Sequence, residues 1–121
     1  SAVLGDGGIY SSLDDLQKWD AALANRSLLS AAEMKVALSA VAVPGGAKSD
    51  DGTPVQYGFG WFLDPYQGRA RMHHYGETSG FRTTIQRFVD ERLTIIILSN
   101  RREADVDALA LKIADLVGAG E

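Results

Sequence analysis

The sequence predicts an α+β fold, an antiparallel sheet flanked by helices. Three observations carry that expectation. Two segments near the N-terminus have the apolar period and capping residues of helices. Segments rich in β-branched and aromatic residues come next, separated by short turns. One amphipathic segment closes the chain. A run of strands and then a helix, rather than strict alternation, places the helix on a face of an antiparallel sheet. The 121 residues have the length of one domain. They divide into a helical segment and loop over 1–55, then antiparallel strands plus a terminal helix over 56–121.

Each element has its own signal. Gly5-Asp6-Gly7-Gly8 reads as a flexible loop. Ser12 and Asp15 stand at capping-box spacing, and Leu13, Leu16, Trp19, Ala22 and Leu23 form a stripe at helical period, with Asn25 as the stop. A second helix starts at the capping box Ser30/Glu33, flanked by Leu29 and Met34 as a hydrophobic staple. Its apolar face continues through Leu38 and Val41 until Pro44-Gly45-Gly46. Strands are expected over Tyr57 to Leu63, Arg71 to Tyr75, Phe81 to Val89 and Leu93 to Leu98, with a turn at Pro65 to Gly68 and a hairpin loop at Asp90-Glu91-Arg92. The unbroken run Leu-Thr-Ile-Ile-Ile-Leu predicts a central strand, buried on both faces. The last helix runs from about Asp105 to Val117, with Val106, Leu109, Ile113, Leu116 and Val117 on its apolar face and Asp107 elsewhere. Gly118 and Gly120 end it.

Composition narrows the function. Hydrophobic residues make up 45% and charged residues 23%, as in a folded globular chain. The net charge of −4 argues against nucleic acid, whose phosphates call for clustered Lys and Arg. Arg101-Arg102 is flanked at once by Glu103 and Asp105, which reads as a solvated helix entrance. With no cysteine there is neither a disulfide nor a thiolate metal site. No apolar run approaches the roughly 20 residues needed to span a bilayer. The chain opens with Ser1-Ala2-Val3-Leu4 instead of Met, so any targeting signal is expected upstream.

Elimination removes most chemistry. Gly76-Glu77-Thr78-Ser79-Gly80 has one residue too many before the serine for a hydrolase elbow and lies between two strands. No serine has Lys three residues on; Ser79 has Arg82, which stays protonated and cannot act as a base. His73 and His74 are adjacent, so on a strand they point to opposite faces and cannot chelate one ion; no metal or cofactor is expected. Gly5-Asp6-Gly7-Gly8 lacks the lysine of a P-loop, and Gly58-Phe59-Gly60 has no helix after it. Asp14-Asp15 and Asp50-Asp51 read as caps and solvated acids.

One constellation remains: Gly7-Gly8-Ile9-Tyr10-Ser11-Ser12-Leu13-Asp14-Asp15-Leu16, then Tyr57-Gly58-Phe59-Gly60-Trp61, then His74-Tyr75-Gly76-Glu77-Thr78-Ser79-Gly80-Phe81, then Leu98-Ser99-Asn100-Arg101 and the final helix. Its order and spacing resemble the C-terminal half of the serine beta-lactamase and penicillin-binding protein family, in its class C, esterase and D-alanyl-D-alanine carboxypeptidase branch. The resemblance implies the C-terminal part of the beta-lactamase/transpeptidase-like fold. It implies that His74, Tyr75 and Gly76 are the third active-site motif on an edge strand, and that the Glu77 N–H is the second oxyanion-hole donor. It implies a small-molecule or peptide substrate for the parent protein and a periplasmic or secreted location. His74 would bind a substrate carboxylate when protonated or orient a neighbouring hydroxyl when neutral. Histidine in place of the family's Lys leans away from a dedicated beta-lactamase.

The sequence departs from the family in lacking Ser-x-x-Lys and Tyr-x-Asn, expected upstream together with two sheet strands and a helix. The chain alone is therefore expected to be inactive. Its sheet is expected to have an open edge, at Phe81 to Val89 or its neighbour, where a second copy would pair. The competing reading is a non-catalytic substrate-binding or interaction module of the same fold.

Overall fold

A computed structural model describes residues 4–118. Helices α1 (Leu13–Ala24) and α2 (Ala31–Ala37) precede strands β1 (Met72–Thr78), β2 (Phe81–Phe88) and β3 (Leu93–Ser99), and helix α3 (Val106–Gly118) ends the fold. The strands form one antiparallel sheet in the order β1-β2-β3. The caps are those the sequence predicts. Ser12 accepts from the Asp15 amide, and Ser30 and Glu33 form a reciprocal capping box.

The β1–β2 hairpin closes in two residues, Ser79 (φ 40) and Gly80 (φ 88). Positive φ at both central positions marks a turn whose twist matches the strands it joins. Ser79 is thus a turn residue between two strands. Gln67 (φ 51) and Gly68 (φ 78) make a similar turn inside the Tyr66–Arg69 bridge.

The sheet lies between helices. Phe88 and Ile95 pack with Ala110 and Ala114 of α3, bordered by Tyr66, Leu93, Ile97, Leu111 and Ile113. Side chains alternate along a strand, so Arg87 and Thr94 face the opposite side. There Asp20 of α1 accepts from Arg87 Nε at 2.6 Å and Thr94 Oγ1 at 2.8 Å. Arg87 is 6% exposed, so this ion pair joins α1 to the sheet from the inside.

Four expectations need correction. Among the described residues the run Leu93–Ser99 is an edge strand, and β2 is central, paired on both sides. Its apolar residues meet helices above and below, not a strand on each side. Of the two places expected for the open edge, Phe81 to Val89 or its neighbour, it is the neighbour β3 that has no outer partner strand among the described residues. Tyr57 to Leu63 is not a strand: it turns back on itself, Gly58 N–H donating to the Trp61 carbonyl, because Gly60 sits at φ 80. Helix α2 stops at Ala37: Leu38 and Ser39 N–H close its last turn on the Met34 and Val36 carbonyls, and Val41 N–H goes to the Tyr57 carbonyl instead. Finally, α3 buries Val106, Ala110 and Ala114, leaving Leu109, Leu116 and Val117 exposed. Alanines let the helix backbone approach Phe88, and Asp107 faces the sheet. Gly120 lies outside the described residues.

Candidate functional site

The fold-back at 57–62 positions the site. Phe62 pairs with His73 through both backbone bonds, N–H to the His73 carbonyl at 2.9 Å and the reverse at 3.0 Å. His73 therefore points its backbone groups away from β2. Backbone direction alternates in an antiparallel pair, so Tyr75 and Glu77 also point outward while His74 and Gly76 bond β2. Beyond Phe62 the edge is unpaired among the described residues, and the Glu77 N–H projects from it.

Side chains fix this strand from both faces. His74 Nε2 lies 2.9 Å from the Tyr57 hydroxyl, and His74 Nδ1 lies 2.7 Å from the Tyr75 carbonyl oxygen. Phe62 stacks on Tyr75 with centroids 5.7 Å apart and 7° between planes. Glu77 is paired with Arg82 at 2.7 Å across the hairpin. Gly76 has a packing reason to be glycine: a methyl group there would stand 2.4 Å from Thr83 Oγ1. Gly58 has a stricter one, since a methyl group would meet the Ala37 carbonyl oxygen at 2.4 Å.

His73 is built differently from its neighbour. Its Nε2 donates to Asp64 Oδ1 at 2.5 Å, and its buried Nδ1 has no partner among the described residues. Burial pushes the His73 imidazolium down in pKa, against the opposing pull of Asp64. A neutral ring with a bare Nδ1 lone pair fits that direction. Burial works against ionisation of Asp64, but the hydrogen bonds from His73 and Arg71 and the charge of Arg71 hold it below the usual carboxylate range. Arg71 also reaches Gln86, Gln86 reaches Asp107, and Thr84 donates to Asp107 at 2.6 Å. This network locks β1, β2 and α3 beneath the edge. Burial and the neighbouring Tyr75 raise the Tyr57 phenol above its ordinary pKa, so its hydroxyl keeps its proton.

A cavity of about 550 Å³ opens against His74 and Tyr75, walled by Val41, Val43, Val55, Tyr57 and Phe62. A second, of about 340 Å³, touches Tyr75, Gly76, Glu77, Arg82 and Arg102. The motif strand thus runs between two cavities. Among the described residues no three His, Asp or Glu groups converge as a metal site, and no helix is long and apolar enough to cross a membrane.

The profile of the family described as Beta-lactamase matches residues 1–119. The chain belongs to that family. This Beta-lactamase-family chain is 34% identical, over 98% of its length, to penicillin-binding protein 4* of Bacillus subtilis strain 168. It spans about a quarter of that relative, 26%. Its fold is similar to that of a penicillin-binding protein from Bacillus halodurans, with a TM-score of 0.63 and 20% identity; 84% of this chain and 30% of that one are covered.

All four motif residues lie on β1, the sheet edge. The sequence reading missed Tyr57, Phe62 and Thr83 as their supports. Tyr57 is 17 residues from His74 in the chain. The paired glycines Gly58 and Gly60 were the available signal, since they permit the reversal that brings Tyr57 and Phe62 together.

Proposed function

We propose that this chain supplies one wall of the active site of a serine hydrolase of the Beta-lactamase family, with the nucleophile elsewhere in a longer polypeptide. The observation that carries the reading is the outward-facing Glu77 N–H on an unpaired edge, directly after His74-Tyr75-Gly76. In acyl transfer a serine oxygen attacks the substrate carbonyl carbon, and the carbonyl oxygen becomes an oxyanion. The Glu77 N–H donates to that oxygen. The C–N or C–O bond then breaks, the leaving amine or alcohol takes a proton, and water releases the acyl-serine. One such donor contributes about 3 kcal/mol to the transition state. The substrate is a beta-lactam, a D-alanyl peptide or an ester.

A proline at Glu77 deletes this N–H yet leaves the β2 ladder intact, because the N–H points away from it. In the polypeptide that carries this segment, Glu77→Pro is expected to lower kcat about 10²–10³-fold on nitrocefin, p-nitrophenyl butyrate or a D-alanyl-D-alanine peptide. Glu77→Ala, which retains the N–H, keeps most of the rate. Equal rates for the two variants would remove the oxyanion role and favour the binding-module reading. The segment alone is expected to hydrolyse none of these substrates above buffer.

A further inference from the structure

We propose that Tyr57 is a positioning residue of this site, acting through His74 on the Tyr75 carbonyl and hence on the aim of the Glu77 N–H. The inference rests on the function proposed above.

The hydrogen-bond logic is closed at both ends. A carbonyl oxygen only accepts, so His74 Nδ1, 2.7 Å from the Tyr75 oxygen, carries the proton. In the neutral ring Nε2 is then the acceptor, and the Tyr57 hydroxyl at 2.9 Å donates to it. Both ring nitrogens are used. Neutral His74 therefore has no nitrogen free for a substrate proton; its task is to hold the Tyr75 carbonyl.

That carbonyl sits one joint away from the oxyanion donor. The Tyr75 carbonyl belongs to the peptide unit before Gly76, and the Glu77 N–H to the unit after it. Gly76 is the softest backbone joint on the strand. His74 pins the first unit, and the Glu77–Arg82 pair holds the residue beyond the second. Tyr57 in turn is held by an edge-on contact with Phe62 at 4.9 Å and by its carbonyl, which accepts from Val41. The charged and titratable groups near the pair are His73, Tyr75, Lys48 and Asp50. None of them is hydrogen-bonded to His74 through its own side chain among the described residues.

The test uses the full polypeptide, labelled with ¹⁵N in the histidine rings and studied at roughly pH 8, above the ordinary imidazole range. His74→Gln assigns the resonances. The wild type is expected to show a protonated Nδ1 and an acceptor Nε2 at His74. Tyr57→Phe keeps the ring packing and deletes the donor. The proton stays on Nδ1, which the Tyr75 carbonyl still holds, while the Nε2 resonance should move as that nitrogen loses its hydrogen bond. The same variant should lower kcat roughly tenfold, with KM changed less, since a misplacement of about 1 Å near reacting atoms costs up to 10²-fold. An unchanged Nε2 resonance and unchanged kcat in Tyr57→Phe overturn the inference. A moved Nε2 resonance with unchanged kcat overturns its catalytic half. A change in kcat with both His74 resonances unchanged overturns the route through His74. If Glu77→Pro leaves kcat intact, the functional reading itself fails, and the Nε2 resonance still decides whether Tyr57 is hydrogen-bonded to His74.

Discussion

Replacing Gly76 by alanine separates packing from chemistry at the centre of the site. The added methyl would stand 2.4 Å from Thr83 Oγ1, well inside contact, while Thr83 Cβ is 3.8 Å away and unobjectionable. The clash is with one atom of a β-branched side chain that rotates only with difficulty in a strand. Overpacking of this kind costs about 1–3 kcal/mol. Thr83→Ala deletes the offending oxygen. Gly76→Ala should therefore cost about 1–3 kcal/mol alone but well under 1 kcal/mol beside Thr83→Ala, a coupling larger than the ~0.3–0.5 kcal/mol scatter of independent sites. Urea unfolding of the four proteins measures it. If the two substitutions simply add, Thr83 is not what keeps position 76 bare, and the close-packing account is wrong. The rates then report something separate. A double variant that regains stability but not kcat shows that the substrate, too, needs a bare backbone at Gly76.

Gly58→Ala offers no such rescue, since the methyl would meet the backbone oxygens of Ala37 at 2.4 Å and Ser39 at 3.3 Å. A loss of about 3 kcal/mol is expected in thermal or urea unfolding, and a wild-type melting temperature would contradict it. Asp20→Ala strands the Arg87 guanidinium under α1 and should cost about 3 kcal/mol, whereas Asp20→Asn, which keeps an acceptor for Arg87 and Thr94, should cost less. The pH dependence of stability has two windows. His73, lowered from 6.5, binds its proton more readily unfolded, so stability is full above that value and falls as pH drops from it to the folded-state pKa. Asp64, lowered from 3.8, stabilises above that value and loses its contribution as pH falls through its folded-state pKa. His73→Gln should flatten the upper window and narrow the lower, since the His73 hydrogen bond is the first of the contacts that hold Asp64 down; an unchanged upper slope would assign it to another group.

Local chemistry was legible in the sequence; its assembly in space was legible only in part. The caps at Ser12 and Ser30 were readable because a side chain satisfies an amide three residues on, a relation contained in the spacing. The turn between β1 and β2 was readable only in part: Gly76 to Gly80 reads as turn, whereas β1 runs on through Thr78 and only Ser79-Gly80 turn, so the strand position of Gly76 and Glu77 came from the family resemblance and not from local spacing. The place of β3 was not. An apolar run predicts burial on both faces, whereas in Leu93–Ser99 only Ile95, against α3, is buried and Leu98 is exposed. Nor was the face of α3 legible, because the hydrophobic pattern favours its leucines, while close approach to Phe88 selects Ala110 and Ala114. The support of His74 by Tyr57 depends on a chain reversal at Gly58 and Gly60, where aromatic content suggests a strand and only the glycines object.

The position of β3 bears on how this polypeptide behaves in a tube. Leu93–Ser99 carries no charge, proline or glycine, and its outer edge has no partner strand among the described residues. Natural sheets blunt such edges with lysine, proline or a bulge, because a bare row of amides and carbonyls is a template for stray pairing. Six or seven uncharged residues of high β propensity are also what cross-β stacking requires. The segment on its own is therefore expected to lose soluble protein as its concentration rises, with Arg92 and Arg101 as the flanking gatekeepers. A lysine at Leu98, already 41% exposed, would blunt the edge with little disturbance to the interior.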